Sequence, residues 1–352
     1  MKTAVMLLGL SACAGACTSA FAQSSVTMFG IVDLGVAYVK GSHGGTAAMT
    51  NSGASFSRWG LRGTEDFGNG LKAGFWLEAP LSADVGQGAN PMAGLSFIRR
   101  ATVRLSGNFG ELRMGQDFSA SYQNPAWFDP FQGTGIGAPN SFLMLGAPIR
   151  VSNAVSYFLP STLGGLYGQA QYAFGEEPST SPNSKKGNYL GLRLGWANKQ
   201  LNLAASLASQ RTGTSALADK LTIASVAGSY DFGAVKPMAY WAMEKTDSGA
   251  RIDAFLLGLT APVGSAGELR AALSHYNRKS SSDDWNKLSL GYLHKLSPRT
   301  AVYGTVAHVS NRGAAKQIIT TTGLGNAPIS QSISVDPGGR SSGIEFGLRH
   351  SF

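Results

Sequence analysis

From Ser57 to Asp66 the chain alternates: Trp59, Leu61 and Gly63 fall between Arg58, Arg62, Thr64 and Asp66. A period of two puts the first set on one face of a strand and the second on the other, so the segment predicts a strand with one apolar and one wet face. The pattern recurs along the chain. Leu71, Ala73, Phe75 and Leu77 alternate with Lys72, Trp76 and Glu78, and Ala101, Val103 and Leu105 with Arg100, Thr102 and Arg104. Farther on, Leu190, Leu192, Leu194 and Trp196 alternate with Tyr189 and Arg193, and Leu288, Leu290 and Tyr292 with Lys287 and Ser289. The last segment sets Ile344, Phe346, Leu348, His350 and Phe352 against Glu345, Arg349 and Ser351.

Short turn clusters separate these runs, among them Phe67-Gly68-Asn69-Gly70, Ser106-Gly107-Asn108-Phe109-Gly110, Ala197-Asn198-Lys199-Gln200 and Leu296-Ser297-Pro298-Arg299. They alternate with longer polar stretches at 41–54, 82–94, 176–186 and 311–339, the rhythm of an antiparallel meander with unequal ends. About sixteen strands of about ten residues fit, roughly 21 residues per strand and connection, which suits strands crossing a bilayer at a tilt. Counts of 14 or 18 fit by the same arithmetic.

A large soluble sandwich would alternate similarly. Against it, no helix is needed anywhere, so many strands would leave sheet edges to protect, and the polar faces carry Arg and Tyr rather than Lys and Glu. Aromatics also gather near strand ends, where an interfacial girdle would place them: Phe29, Tyr38, Trp76, Tyr157, Tyr167, Tyr172, Phe174, Trp196, Tyr230, Trp241, Phe346 and Phe352. The predicted class is therefore all-β, a transmembrane barrel.

Composition narrows this further. The 46 Gly follow no G-X-Y period, which excludes collagen, and 17 Phe, 11 Tyr and 6 Trp exclude a disordered chain. Residues 1–22 read as a signal peptide: Lys2 is the charged start, Ala4 to Leu10 the apolar run, and Ala20-Phe21-Ala22 the cleavage site. The mature chain then spans 23–352. Leu10-Ser11-Ala12-Cys13 offers the alternative of lipidation at Cys13. Cys13 and Cys17 both lie in the leader, so disulfide, zinc-thiolate and cysteine-nucleophile readings lapse for the mature chain, and no cofactor or metal is expected. The formal charge of +9 becomes +8 without Lys2, an excess that suits anionic solutes or surfaces; export sets nucleic acid aside.

The start QSSVTMFGIVDLGVAY, the run SRWGLRGTEDFGNGLKAGFWLE, the segment RRATVRLSGNFGELRMGQD, the phrase LSPRTAVYGTVAHVSN and the ending GIEFGLRHSF together resemble the trimeric general porins of Gram-negative bacteria, of the β-proteobacterial type. The resemblance spans the chain. It implies a 16-stranded antiparallel β-barrel in the cell outer membrane, with short periplasmic turns, long external loops and a third external loop folded into the lumen. It also implies a homotrimer in contact with outer-membrane lipid and lipopolysaccharide, passing small hydrophilic solutes and ions, with the terminal Phe352 as the signal read by the assembly machinery. The family often carries GRQ after the fifth strand, where this chain has Gly115-Gln116-Asp117, so one basic side chain expected near the constriction is absent.

The candidate constriction loop runs over about 117–147 and is rich in Gly and Pro yet more apolar than a solvated loop. A loop at membrane depth must be buried in protein or line water, which suits one packed on the inner wall. Its Gly133, Gly135 and Gly137 spell GxGxG, but no strand leads into them and no helix follows, so a phosphate cradle is not expected. On the wet parity of the early strands stand Arg58, Arg62, Lys72, Arg100, Arg104 and Arg113, with Arg150 opening the next strand; Asp117 and Asp129 are the acids assigned to the loop. Seven basic groups facing two acids predict a weakly anion-selective pore with a transverse field. The bland alternative pairs the basic groups with Asp66, Glu78 or Glu111.

Five histidines and no HExxH, GxSxG or paired-carboxylate spacing leave little for catalysis, so no enzyme is expected. A plugged or adhesive barrel is the structural alternative, and an outer-membrane hydrolase a more distant one. For a trimer, Val32, Leu34, Val36, Ile344 and Leu348 are the outer-face candidates, with 82–94 as a latch on the neighbour.

Overall fold

The computed structural model describes residues 25–88, 94, 96–139, 144–214, 218–320 and 333–352. The expected leader at 1–22, with Cys13, lies outside them, as do parts of the segments 82–94 and 311–339.

The wall strands in chain order are β1 (Ser25–Gly41), β2 (two pieces, Gly44–Asn51 and Arg58–Asp66), β3 (Lys72–Ser82), β4 (Arg100–Gly107), β5 (Gly110–Phe118), β6 (Arg150–Phe158), β7 (Leu166–Ala173) and β8 (Tyr189–Ala197). They continue as β9 (Leu201–Gly213), β10 (Ala218–Tyr230), β11 (Lys236–Thr246), β12 (Arg251–Val263), β13 (Gly267–Arg278), β14 (Trp285–Lys295), β15 (Thr300–Asn311) and β16 (Arg340–Ser351). Each pairs antiparallel with its sequence neighbours. The ring closes where β1 pairs with β16, from Ile31 opposite Ser351 to Lys40 opposite Ser342. A sheet closed on itself has no edge strand, which is what a bilayer without hydrogen-bonding solvent demands.

The two pieces of β2 lie along one edge of β1: Leu34 faces Asn51, but Ile31 faces Arg58, so residues 52–57 leave the ladder. Asp33 holds that excursion from below. Its buried carboxylate accepts the N–H groups of Gly53 (3.2 Å), Ala54 (2.9 Å) and Ser55 (2.7 Å) and the hydroxyl of Tyr303 (2.6 Å). The pieces count as one interrupted strand, giving the sixteen of the barrel.

Alternation decides what faces lipid. On β8, Leu190, Leu192 and Leu194 are 52–54% exposed on the outside, whereas Tyr189 and Arg193 are buried inside. No helix among the described residues is long and apolar enough to cross a membrane; the crossing is made by strands.

The 31-residue connection between β5 and β6, residues 119–149, carries the one-turn helix α1 (Gln123–Trp127) and packs on the inner wall. Phe128 and Phe131 join a buried cluster with Tyr240, Ile252, Leu256, Tyr276 and Trp285, and Ile136 packs with Val39, Val309 and Ile319. The wall is bare where the loop touches it: a Cβ at Gly258 would sit 2.6 Å from Pro130, and one at Gly291 2.8 Å from Phe131.

Candidate functional site

The loop is hung on one side of the lumen by side chains from distant strands. Arg193 on β8 donates from Nε to Asn124 Oδ1 at 2.7 Å and from Nη1 to Gln123 Oε1 at 3.1 Å, which fixes α1. Gln171 accepts the N–H of Ala120 (2.9 Å), and Asn124 donates to Ser225 Oγ (3.1 Å). The returning limb is held by Glu244, whose carboxylate accepts the N–H groups of Met144 (3.2 Å), Leu145 (2.7 Å) and Ala147 (3.3 Å). Between them, Glu345 accepts the Ile136 N–H at 3.0 Å and Lys287 donates to the Ala138 carbonyl. Backbone groups out of reach of bulk water thus find partners in the wall, as buried polar groups must.

Across the lumen stands the arginine wall. Register fixes its geometry: Glu78 lies opposite Arg100, Gly74 opposite Arg104, and Arg104 opposite Arg113, so these side chains share the inner face of β3, β4 and β5. Arg58, Arg99, Arg100, Trp76, Glu78 and Phe118 line one side of a cavity of about 430 Å³. Tyr122, Gln123, Ala126, Trp127 and Gln132 of the loop line the other. Arg99 donates from Nε to Glu78 Oε1 at 2.6 Å, and Arg58 Nε lies 3.5 Å from the same oxygen. Arg100 Nη2 donates to Asp117 Oδ2 at 3.2 Å. Arg113 bonds both Asp117 and Glu111, and Arg104 donates to Glu111 (3.4 Å) and Thr64 (3.2 Å). Five guanidinium groups, those of Arg58, Arg99, Arg100, Arg104 and Arg113, share the carboxylates of Glu78, Asp117 and Glu111, and Arg150 bonds a backbone carbonyl, so six cations on this wall face three acids, three positive charges in excess.

Aromatic rings support this wall. The guanidinium carbon lies 4.7 Å from the Trp76 ring for Arg100, 4.8 Å from Phe56 for Arg99, 4.2 Å from Phe158 for Arg113 and 4.5 Å from Phe118 for Arg150. Arg62 sits over Phe29 and Trp76 at 5.4 and 5.2 Å. A quadrupole at this distance holds a cation without neutralising it. Phe29, Trp76 and Tyr167, expected in the lipid girdle, therefore face inward instead, Tyr167 against Arg193 at 4.9 Å.

The predicted residues divide. Arg58 and Arg100 line the cavity; Arg62, Arg104 and Arg113 follow along the same wall. Arg150 reaches back from β6, donating to the Arg99 carbonyl at 2.8 Å. Lys72 pairs with Asp66 at 2.9 Å beside the Phe67–Leu71 turn, about half exposed and outside the cavity lining. The two acids assigned to the loop need correction. Asp117 belongs to β5, and past the bulge at Gly115 its carboxylate turns into the wall, where it pairs with Arg100 and Arg113. Asp129 is 2% exposed and turns back on its own loop, accepting the N–H groups of Phe131 (3.0 Å) and Gly133 (2.8 Å). Burial pushes its pKa up to about 6 in spite of those bonds. The loop therefore presents amides and an indole to the cavity, and the expected acidic side of a transverse field is absent among the described residues. Phe352 closes the seam, exchanging two backbone hydrogen bonds of 3.0 Å with Gly30.

Three participants are not among the expected site residues. Arg99 precedes β4, where alternation no longer specifies a face. Arg193 stood on the inner parity, but its loop partners lie about seventy residues away. Arg349 reaches Ser55 Oγ at 3.3 Å across the β1–β16 seam. A lone guanidinium on an otherwise leucine-rich strand was the signal available for Arg193.

Comparison with known proteins agrees with this architecture. The family model for Gram-negative porins matches residues 9–314. Outer membrane porin protein 32 of Delftia acidovorans is 38% identical over the full length of both chains. An outer membrane porin protein of Bordetella pertussis is 28% identical over 87% of this chain and 94% of its own. Among solved structures, an anion-selective porin from Comamonas acidovorans superposes with a TM-score of 0.84 at 37% identity, covering 94% of this chain and all of that one. A closed sixteen-stranded barrel, an inner loop facing an arginine wall, the family match and these relatives place the chain in the Gram-negative porin family, among the channel proteins of the outer membrane and not among enzymes.

Proposed function

We propose that this porin is a weakly anion-selective, water-filled diffusion channel for small hydrophilic solutes and ions. The observation that carries the reading is the excess of guanidinium over carboxylate on the cavity wall, facing a loop side without an acid. Fixed cations beside a constriction raise the local anion concentration and lower the barrier as an anion sheds water, while Glu78, Asp117 and Glu111 keep that preference modest. The name of the Comamonas relative points the same way. Planar-bilayer recording across a KCl gradient tests this: a reversal potential of the anion-selective sign is expected, and the cation-selective sign overturns it.

We further propose a homotrimer. The seam pairs Leu34 with Leu348 and Val36 with Phe346, and Val36, Phe346, Leu348 and the neighbouring Met49 are each more than half exposed on the outside. That apolar strip offers one protomer a surface against the next. Cross-linking of the detergent-extracted protein should stop at three copies; a single copy at every temperature below unfolding contradicts the assembly. Export through cleavage after Ala22, and reading of Phe352 by the assembly machinery, complete the proposal.

A further inference from the structure

Among the described residues, the loop buries its aromatic side chains with one exception. Tyr122, Phe128 and Phe131 are 8%, 1% and 3% exposed, whereas Trp127, at the end of α1, is 67% exposed and lines the cavity opposite Arg58 and Arg100. It is held there from behind: Arg193, which anchors α1, lies 5.4 Å from the indole. An indole fixed on a backbone that is itself hydrogen-bonded to the wall is a pre-organised stacking surface, since little freedom remains to be lost when a ring settles on it.

Charge on the far side selects what such a ring must carry. The Arg58 and Arg100 side chains line the cavity and remain 27% and 16% exposed while paired with Glu78 and Asp117, so guanidinium surface is still open to a solute there. Guanidinium groups match a carboxylate best, with two parallel N–H bonds. A cavity of about 430 Å³ falls at the small end of ligand-sized pockets and admits a single ring with its acid group.

We infer that the constriction recognises monocyclic aromatic carboxylates, with the ring on Trp127 and the carboxylate on Arg58 and Arg100. The inference rests on the anion-selective reading and adds a preference for the ring. An inorganic anion meets only the arginines, and a neutral ring only the indole; an aromatic acid meets both, so it stays longer in the pore while still leaving, as conduction requires.

The test is single-channel recording in KCl with benzoate added to one side, set against cyclohexanecarboxylate, which has the same charge and a similar size without a π face. Benzoate is expected to reside about three- to tenfold longer, the gain that an aromatic pair contributes. In Trp127→Ala the ratio of the two residence times should fall to about one, and in Trp127→Phe, which keeps a π face, it should persist. Taking the ratio within each variant removes any change in pore size. Equal residence of the two acids in the wild-type channel, or an undiminished ratio in Trp127→Ala, overturns ring recognition while an anion-selective reversal potential leaves the parent reading intact. A cation-selective potential overturns both.

Discussion

Glu78 and Arg99 form a closed ion pair on the pore wall: Nε to Oε1 is 2.6 Å, and the two side chains are 8% and 3% exposed. Arg58 leans on the same carboxylate at 3.5 Å without a hydrogen bond from its Nε, so one acid serves two cations. The pair therefore fixes the wall and at the same time trims its charge.

Glu78→Gln separates these roles. Losing the partner of a buried cation costs about 3–5 kcal/mol, so thermal unfolding in detergent, followed by gel mobility, should move to lower temperature. Barrels that still assemble should show a reversal potential shifted further toward anions. A stable variant with unchanged selectivity contradicts the pairing.

Position along the wall sets the order of the arginine variants. Arg100 lines the cavity, whereas Arg104 lies farther along the strand, nearer the turn, and shares Glu111 with Arg113. Arg100→Ala is expected to lower the anion-to-cation permeability ratio about twofold or more, Arg104→Ala by less, and Lys72→Ala, already paired with Asp66, by least. Reversal potentials of the three in one salt gradient give the ranking.

Asp129 carries a pH dependence of known sign. Its folded-state pKa of about 6 lies above the ordinary 3.8, so its contribution to stability is fully present below about pH 4 and is lost as pH rises through about 6. That loss amounts to at most about 3 kcal/mol. Unfolding midpoints measured from pH 4 to 7 should fall toward neutrality in the wild type by more than in Asp129→Asn. Because the carboxylate faces its own loop, the same variant should barely move the reversal potential.

Glu244 supports the returning limb of the loop through three backbone donors. Glu244→Ala leaves those donors without the carboxylate, at about 1–3 kcal/mol for each left unsatisfied. Open-channel current should become noisier and its mean conductance should change as the limb loosens. A quiet channel of wild-type conductance contradicts the anchoring role.

The wall was largely legible in the sequence because strand parity is a strong constraint: once Leu61 and Val103 face lipid, Arg58, Arg62, Arg100 and Arg104 face water. What alternation misses is where it stops. The bulge between Gly115 and Asp117 shifts the register, and Asp117 then reads as the first loop acid although it closes β5. Asp129 looked like a pore charge because nothing local reveals that its carboxylate caps the N–H groups of Phe131 and Gly133. The break in β2 depends on Asp33 and Tyr303, 270 positions apart, which leaves no trace in neighbouring residues, and the seat of α1 on Arg193, whose lone charge among leucines marks the residue but not its partner in the loop. For Trp76 the two sequence signals conflict: its parity with Lys72 and Glu78 points inward, its place near a strand end points to a girdle, and the ring stacked under Arg100 follows parity.

The decisive measurement is the KCl-gradient reversal potential of the wild-type channel beside the double variant Arg58→Ala/Arg100→Ala. Positive charge at the cavity as the source of selectivity requires an anion-selective potential that collapses toward zero, or to the cation side, in the double variant. An anion-selective potential that survives the loss of both arginines, or a cation-selective wild type, contradicts it.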